Sequence, residues 1–149
     1  MFQDEIDVAL QHIREGQFHC DFGIDPLRLR ECIDLIHTTY PETHYCVIAD
    51  WVWNDIILNR DQVVKFNQAE NVPAFLYSRS IIIDSEQRGF TSVLTSFQKR
   101  FTRNSLFETQ NRIYLLCGPG RRSQLSYEAY QFISSRSLIS FLNDSTYDH

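Results

Sequence analysis

The hydrophobic period of this chain changes at His44, and this change constrains the fold more than any other feature. Before it, apolar residues recur three or four positions apart, as at Phe2, Ile6, Leu10 and Ile13, which is the period of one helix face. After it, apolar and aromatic residues alternate or run together, as they do in strands. We therefore expect a helical part followed by a β-rich part.

Two amphipathic helices are predicted before the change of period. Gly16 follows the first helix at the position where a C-terminal cap is expected. Asp25 and Pro26 mark the start of the second, because an acidic N-cap followed by proline at the first helical position is a helix-start signal. Pro41 ends the second helix.

An antiparallel β-meander of about four strands is predicted after His44. Asn59 with Gln62 three positions later resembles a capping box, so a short helix from Arg60 to about Glu70 interrupts the strands. The strands are rich in β-branched and aromatic residues, and two hairpin turns, at residues 85–89 and 103–104, separate the last three. The predicted strands are His44–Leu58, Val72–Asp84, Phe90–Thr102 and Ser105–Cys117.

The chain is predicted to form one α+β domain over residues 1–149, because 149 residues with 43% apolar side chains suit a single core. Residues 1–43 form an acidic helical part, and residues 44–122 are mainly β and basic from residue 88. Residues 123–149 form a helical tail, with short helices over Gln124–Ile133 and Ser137–Leu142.

Several classes of protein are disfavoured by composition. No run of about 18 apolar residues crosses a bilayer, and the start of the chain lacks an apolar leader. The four cysteines form no C-x-x-C pair, so we expect reduced thiols in a cytoplasmic protein that binds neither a membrane nor a cofactor.

Positive charge is concentrated between Arg88 and Arg122, where seven basic residues face one acid, Glu108, while the rest of the chain is strongly acidic. Clustered charge on a folded surface attracts partners of opposite sign. The segment therefore predicts a partner-binding or anion-binding surface made of Lys99, Arg100, Arg103, Arg112, Arg121 and Arg122.

The block Phe107-Glu-Thr-x-Asn-x-x-Tyr-x-Leu-x-Gly-Pro-Gly-Arg121 resembles an uncharacterised domain family from proteobacteria and their phages. The similarity extends over roughly Asp50 to Arg122. It implies a bacterial or phage-borne accessory protein, and it carries over no catalytic residue. Small proteins from this setting often bind other proteins, including host defence machinery.

The expected function is therefore non-enzymatic binding of a macromolecular partner, such as inhibition of host defence. A protein partner is expected, and nucleic acid stays open. The alternative is an enzyme, or a nucleic-acid-binding protein, that uses the Gly118–Arg122 loop to hold a phosphate-bearing group. The acidic helical half offers another binding face, by imitating nucleic acid.

Three further groupings have both a structural and a functional interpretation. Trp51 and Trp53 share one strand face, where they anchor an interface or fill the core. Asp84 with Glu108 resembles a degenerate nuclease metal site, although pairing with arginines is the simpler interpretation. A zinc site is disfavoured because the spacing of its candidate ligands fits no zinc module: His19, Cys20, Cys32, His37, His44 and Cys46.

Overall fold

The computed structural model describes residues 2–135 and 146–148, and one mixed sheet runs through them. Its helices are α1 (Phe2–Glu15), α2 (Leu29–Thr39), α3 (Arg60–Gln68) and α4 (Tyr127–Ser135). None of these helices is long and apolar enough to cross a membrane.

Nine strands form the sheet within the described residues. They are β1 (Phe18–Cys20), β2 (Tyr45–Ile57), β3 (Ala74–Asp84), β4 (Val93–Thr95), β5 (Arg100–Thr102), β6 (Leu106–Glu108), β7 (Ile113–Leu116), β8 (Gly120–Ser126) and β9 (Thr146–Asp148). The main order is β5-β6-β7-β2-β3-β4-β9, while β8 lies between β2 and β1.

Strand β2 is the centre of the sheet because it changes its neighbour along its length. One edge pairs with β3 in antiparallel fashion from Cys46 to Asp55. The other edge pairs in parallel first with β7, from Tyr45 to Ile48, and then with β8, from Val52 to Ile57. The break between β7 and β8 falls at residues 117–119, so two consecutive segments of chain share one edge of β2.

The α+β class is therefore correct, but the predicted arrangement within it is wrong. An antiparallel meander of about four strands was predicted, but the chain forms a mixed sheet with parallel pairs on one edge of β2. Strand β1 lies between the first two helices, where only helices were expected. The predicted helix Gln124–Ile133 starts too early, because the Gly118-Pro-Gly segment leads into β8 and α4 begins only at Tyr127. The predicted helix Ser137–Leu142 lies outside the described residues.

Asp50 divides β2 into two halves with opposite alternation. It adopts the left-handed conformation, with φ of 47°. Ile48 precedes it and Trp51 follows it, and both reach the same core cluster although their positions differ in parity. A left-handed residue turns the strand locally, so the side chains change faces at this position. Trp51 and Trp53 both follow Asp50 and are two positions apart, so they share one face, as predicted.

Helices cover one face of the sheet in two separate layers. Helices α1 and α4 pack on the half of β2 that follows Asp50, with Ile6, Ile13 and Ile133 buried against Ile56. Helix α2 packs on the preceding half, and its residues cluster with strands β6 and β7. The two helical layers form separate apolar clusters, so the helix-covered face has a gap near Asp50.

The other face of the sheet closes on itself by curling. The Phe101 ring on β5 lies 4.8 Å from the Trp53 ring on β2, measured between centroids. These strands are three positions apart, which in a flat sheet is about 14 Å. Phe22, which follows β1, contacts both rings and completes this aromatic cluster.

Local signals in the sequence set several boundaries correctly. The Asp25 carboxylate accepts a hydrogen bond from the Leu27 amide at the predicted N-cap, where a short 3-10 helix, Pro26–Arg28, precedes α2. Asn59 and Gln62 form the predicted capping box at the start of α3. A hairpin turn between β5 and β6 lies at residues 103–104, where both residues have positive φ, as type I′ turns require.

Candidate functional site

An open cleft of about 460 Å³ lies in the gap between the helical layers. We call it the arginine cleft. Its walls come from the end of α1, from β1, β2 and β3, and from the start of β8. The residues that line it are Arg14, Glu15, His19, Asp50, Trp51, Val52, Arg79, Pro119, Gly120 and Arg121.

The strand register explains why these side chains meet. Arg121 on β8 is the partner of Val52 on β2, and His19 on β1 is the partner of Arg121. Arg79 on β3 stands across from Asp50, because their flanking residues pair. Paired residues point to the same face of a sheet, so a row of polar side chains crosses four strands beside the end of α1.

Close backbone packing shapes the floor of the cleft. The Trp51 indole N–H donates a hydrogen bond of 3.0 Å to the Gly118 carbonyl. Gly120 lies against the Trp51 ring so closely that a Cβ atom would overlap it. Gly16 touches the base of the Arg121 side chain in the same way. The loop between β7 and β8 is thereby held against β2.

Three charged side chains of the cleft, Arg79, Arg121 and Asp50, are exposed, and within the described residues none of these three forms an ion pair. Asp50 adopts the left-handed conformation, which aspartate tolerates better than most residues do.

The structure places the predicted binding residues in several surroundings. Arg121 lies in the cleft, and Arg103 is exposed at the β5–β6 turn. The Lys99 ammonium donates to the Ala69 carbonyl at 2.9 Å. Arg100 pairs with Glu108, whose carboxylate also accepts from the Tyr40 hydroxyl.

The remaining two arginines of the predicted surface are partly buried and form ion pairs within the fold. Arg112 pairs with Glu86 at 2.6 Å and has only 10% of its side chain exposed. Arg122 forms a two-bond pair with Asp55, at 2.6 and 3.2 Å, and its guanidinium lies 5.0 Å from the centre of the Trp53 ring. The Asp55 carboxylate raises the pKa of Arg122. Of the six residues, Arg121 alone lines the arginine cleft.

Trp51 and Trp53 lie in the core, with 0% and 4% exposure. The Trp53 indole N–H donates to Asp55, so its polar group is satisfied internally. The two rings therefore fill the core, and neither presents a surface that could anchor an interface.

The two carboxylates considered as a nuclease site lie apart in separate ion pairs. Asp84 is at the end of β3 and Glu108 is on β6, three strands away in the sheet order. Asp84 accepts from Arg88 at 2.8 Å. Burial alone would raise the pKa of Asp84, but hydrogen bonds from Arg88 and from two backbone amides lower it overall.

The candidate zinc ligands do not converge. In the part of the chain that the structure describes, no group of three His, Cys, Asp or Glu side chains is placed to hold a metal. All four cysteines carry free thiols, and Cys20, Cys46 and Cys117 are buried. Burial raises the pKa of the Cys46 thiol to about 12.

Sequence reasoning missed the charged cleft residues Arg14, Glu15, Asp50 and Arg79, and it considered His19 only as a zinc ligand. Two of them carried a readable signal. Arg79 is a cation inside an otherwise apolar and small-residue run, Ala74–Ile83, and Asp50 is an acid inside the apolar run of β2. A charged residue within a strand pattern indicates an exposed or functional position.

A family model, Domain of unknown function (DUF6957), matches residues 23–132, which is most of the chain. The chain belongs to this family. The match confirms the prediction that the chain belongs to an uncharacterised domain family. The DUF6957 domain contains the strand residues of the cleft, Asp50, Arg79 and Arg121, while Arg14, Glu15 and His19 precede it. No curated protein and no solved structure matches the chain.

Proposed function

We propose that this protein is a non-enzymatic binding protein that holds an anionic segment of a macromolecular partner in the arginine cleft. One observation carries the proposal. Arg79 and Arg121 line the same open cleft and form no ion pair within the described residues, whereas Arg88, Arg100, Arg112 and Arg122 do.

The size of the cleft suits recognition of a segment. Ligand sites usually have volumes of about 300–1,000 Å³, and the cleft falls within this range. Arginine binds oxyanions through several N–H groups in a fixed geometry, which favours specific recognition over diffuse attraction. The resemblance of the Phe107–Arg121 block to bacterial and phage proteins makes the proteins of a bacterial host, including its defence machinery, the first partners to search.

Affinity capture tests this proposal. Tagged wild-type protein, the Arg79→Ala/Arg121→Ala variant and a control Arg60→Ala/Lys65→Ala variant would each capture partners from host lysate, with quantification by mass spectrometry. The control removes the same charge from exposed positions on α3, outside the cleft. Melting temperatures would show that all three proteins are folded.

We expect the wild type and the control to capture the same partner. The amount captured by Arg79→Ala/Arg121→Ala, the cleft variant, should be at least tenfold lower. A tenfold loss corresponds to about 1.4 kcal/mol, which is below the usual effect of removing a buried interfacial charge. Equal capture by all three proteins contradicts the proposal. Turnover of a nucleotide that disappears in the cleft variant would replace it with the enzymatic alternative.

A further inference from the structure

The charges of the arginine cleft alternate in sign across the sheet. Arg79 stands on β3, Asp50 on the central strand β2 and Arg121 on β8, while the end of α1 adds one charge of each sign, Arg14 and Glu15. The two arginines are therefore two strand spacings apart, which is about 10 Å between their backbones, and an acid occupies the strand between them.

This alternation disfavours a nucleic-acid strand. A phosphodiester chain carries a negative charge at every nucleotide, so a strand that spans both arginines would place charge against Asp50. Like charges brought together at an interface cost several kcal/mol.

The cleft also offers little surface for bases. Single-stranded nucleic acids are usually held by bases stacked on exposed aromatic rings. Trp51 lines the cleft, but it is fully buried and its ring faces the opposite side of the sheet. The His19 imidazole, which pairs with Asp21 at 2.5 Å, is the one exposed aromatic ring among the described lining residues. The described lining therefore recognises charge and provides a single small ring for stacking.

We infer that the anionic segment is a piece of protein in which two acidic side chains flank a hydrogen-bond donor. The carboxylates pair with Arg79 and Arg121, and the donor, a lysine, an amide side chain or a backbone N–H, faces Asp50. An extended chain advances about 3.3 Å per residue, so the two acids stand within about four positions of each other. This inference rests on the proposed function and specifies its ligand.

Asp50→Asn provides a precise test of the alternation. Asparagine tolerates the left-handed conformation as well as aspartate does, so the φ of 47° at this position remains allowed. The substitution removes the negative charge and leaves the arginines untouched. Its effect on ligand preference therefore reports the charge of Asp50 separately from the charge of the arginines.

The experiment uses an array of random dodecapeptides probed with fluorescently labelled full-length protein at low salt. The wild type, Asp50→Asn, Arg79→Ala/Arg121→Ala and the control Arg60→Ala/Lys65→Ala are compared. In parallel, binding of a ten-nucleotide oligothymidylate is measured by fluorescence anisotropy, and binding of pyrophosphate is measured by competition.

We expect the wild type and the control to select peptides with two acids around a central donor, and the cleft variant to lose this signal about tenfold. Asp50→Asn should keep the preference for acids and lose the preference for the central donor.

Unchanged donor preference in Asp50→Asn overturns the inference and leaves the proposed function standing. Equal peptide binding by the cleft variant overturns both. Absence of acidic selection, or tighter binding of oligothymidylate or pyrophosphate than of any peptide, overturns the protein-segment inference.

Discussion

Replacing Gly120 with alanine should destabilise the fold strongly, for a reason that is purely steric. Gly120 begins β8, and its φ lies outside the left-handed region, so alanine brings no backbone strain. The added Cβ would stand 2.5 Å from both the Trp51 carbonyl oxygen and the Cε2 atom of the Trp51 ring. Carbon atoms in contact prefer separations of about 3.5–4.0 Å, so the new atom is about 1 Å too close on two sides.

Neither side of this contact relaxes easily. The carbonyl belongs to the central strand β2, and the Trp51 ring is fully buried with its N–H bonded to Gly118. Overpacking a core typically costs 1–3 kcal/mol. The loss of chain entropy in the unfolded state offsets about 0.4–1 kcal/mol of this cost. Because backbone and ring both resist, we expect a net loss of about 3 kcal/mol, near the upper end of the range.

Urea unfolding at equilibrium measures this loss, and a fall in melting temperature of roughly 10 °C should accompany it in a domain of this size. Gly89→Ala is the matched control. Gly89 has φ of 82° and open space where its Cβ would lie, so alanine there brings strain without a clash. That strain costs about 1 kcal/mol. A Gly120→Ala variant no less stable than Gly89→Ala would refute the close packing of β8 on Trp51.

Two further predictions concern titration and reactivity. The pKa of Asp84 is lowered in the fold, so its ion pair stabilises the protein above the ordinary aspartate pKa of about 3.9 and the contribution is lost as the pH falls below it. Asp84→Asn should therefore lose about 2 kcal/mol of stability near neutral pH, and its unfolding free energy, measured against pH, should fall less steeply below pH 4 than that of the wild type. The second concerns thiols: Cys46 is fully buried with a pKa of about 12, while Cys32 is partly exposed. A pulse of iodoacetamide at pH 8, read by mass spectrometry, should modify Cys32 and leave Cys46 intact until the protein unfolds, and equal labelling would contradict this burial.

The sequence predicted the elements whose signals are local. Strand β2 follows from an apolar and aromatic run that is interrupted only by Asp50, Asn54 and Asp55, and the observed Tyr45–Ile57 lies within the expected His44–Leu58. The start of α3 follows from the spacing of Asn59 and Gln62, because a capping box needs only four consecutive residues. These features depend on neighbours along the chain, and so they can be read from it.

The pairing of the strands could not be predicted in the same way. The segment Gly120–Ser126 contains two arginines and three other polar residues, so it lacks the apolar pattern of a buried strand. It becomes β8 because β2 extends beyond the end of β7 and leaves an edge free for pairing. This cause lies 69 positions earlier in the chain, the separation of Val52 from its partner Arg121, and the turn chemistry of Gly118 and Pro119 contains no information about it.

The arginine cleft forms where β2 changes its parallel neighbour from β7 to β8. Arg121 was identified from local charge, but Arg79 and Asp50 were not, because they join it only when β3, β2 and β8 lie side by side. Charge density along the sequence instead selected Arg112 and Arg122, whose pairs with Glu86 and Asp55 join distant segments. Local sequence does not distinguish an arginine that forms an ion pair within the fold from one that has no acid beside it. Only the positions of the acids in space make that distinction, and this is why the proposed site follows from unpaired arginines in a cleft and not from the most basic stretch of chain.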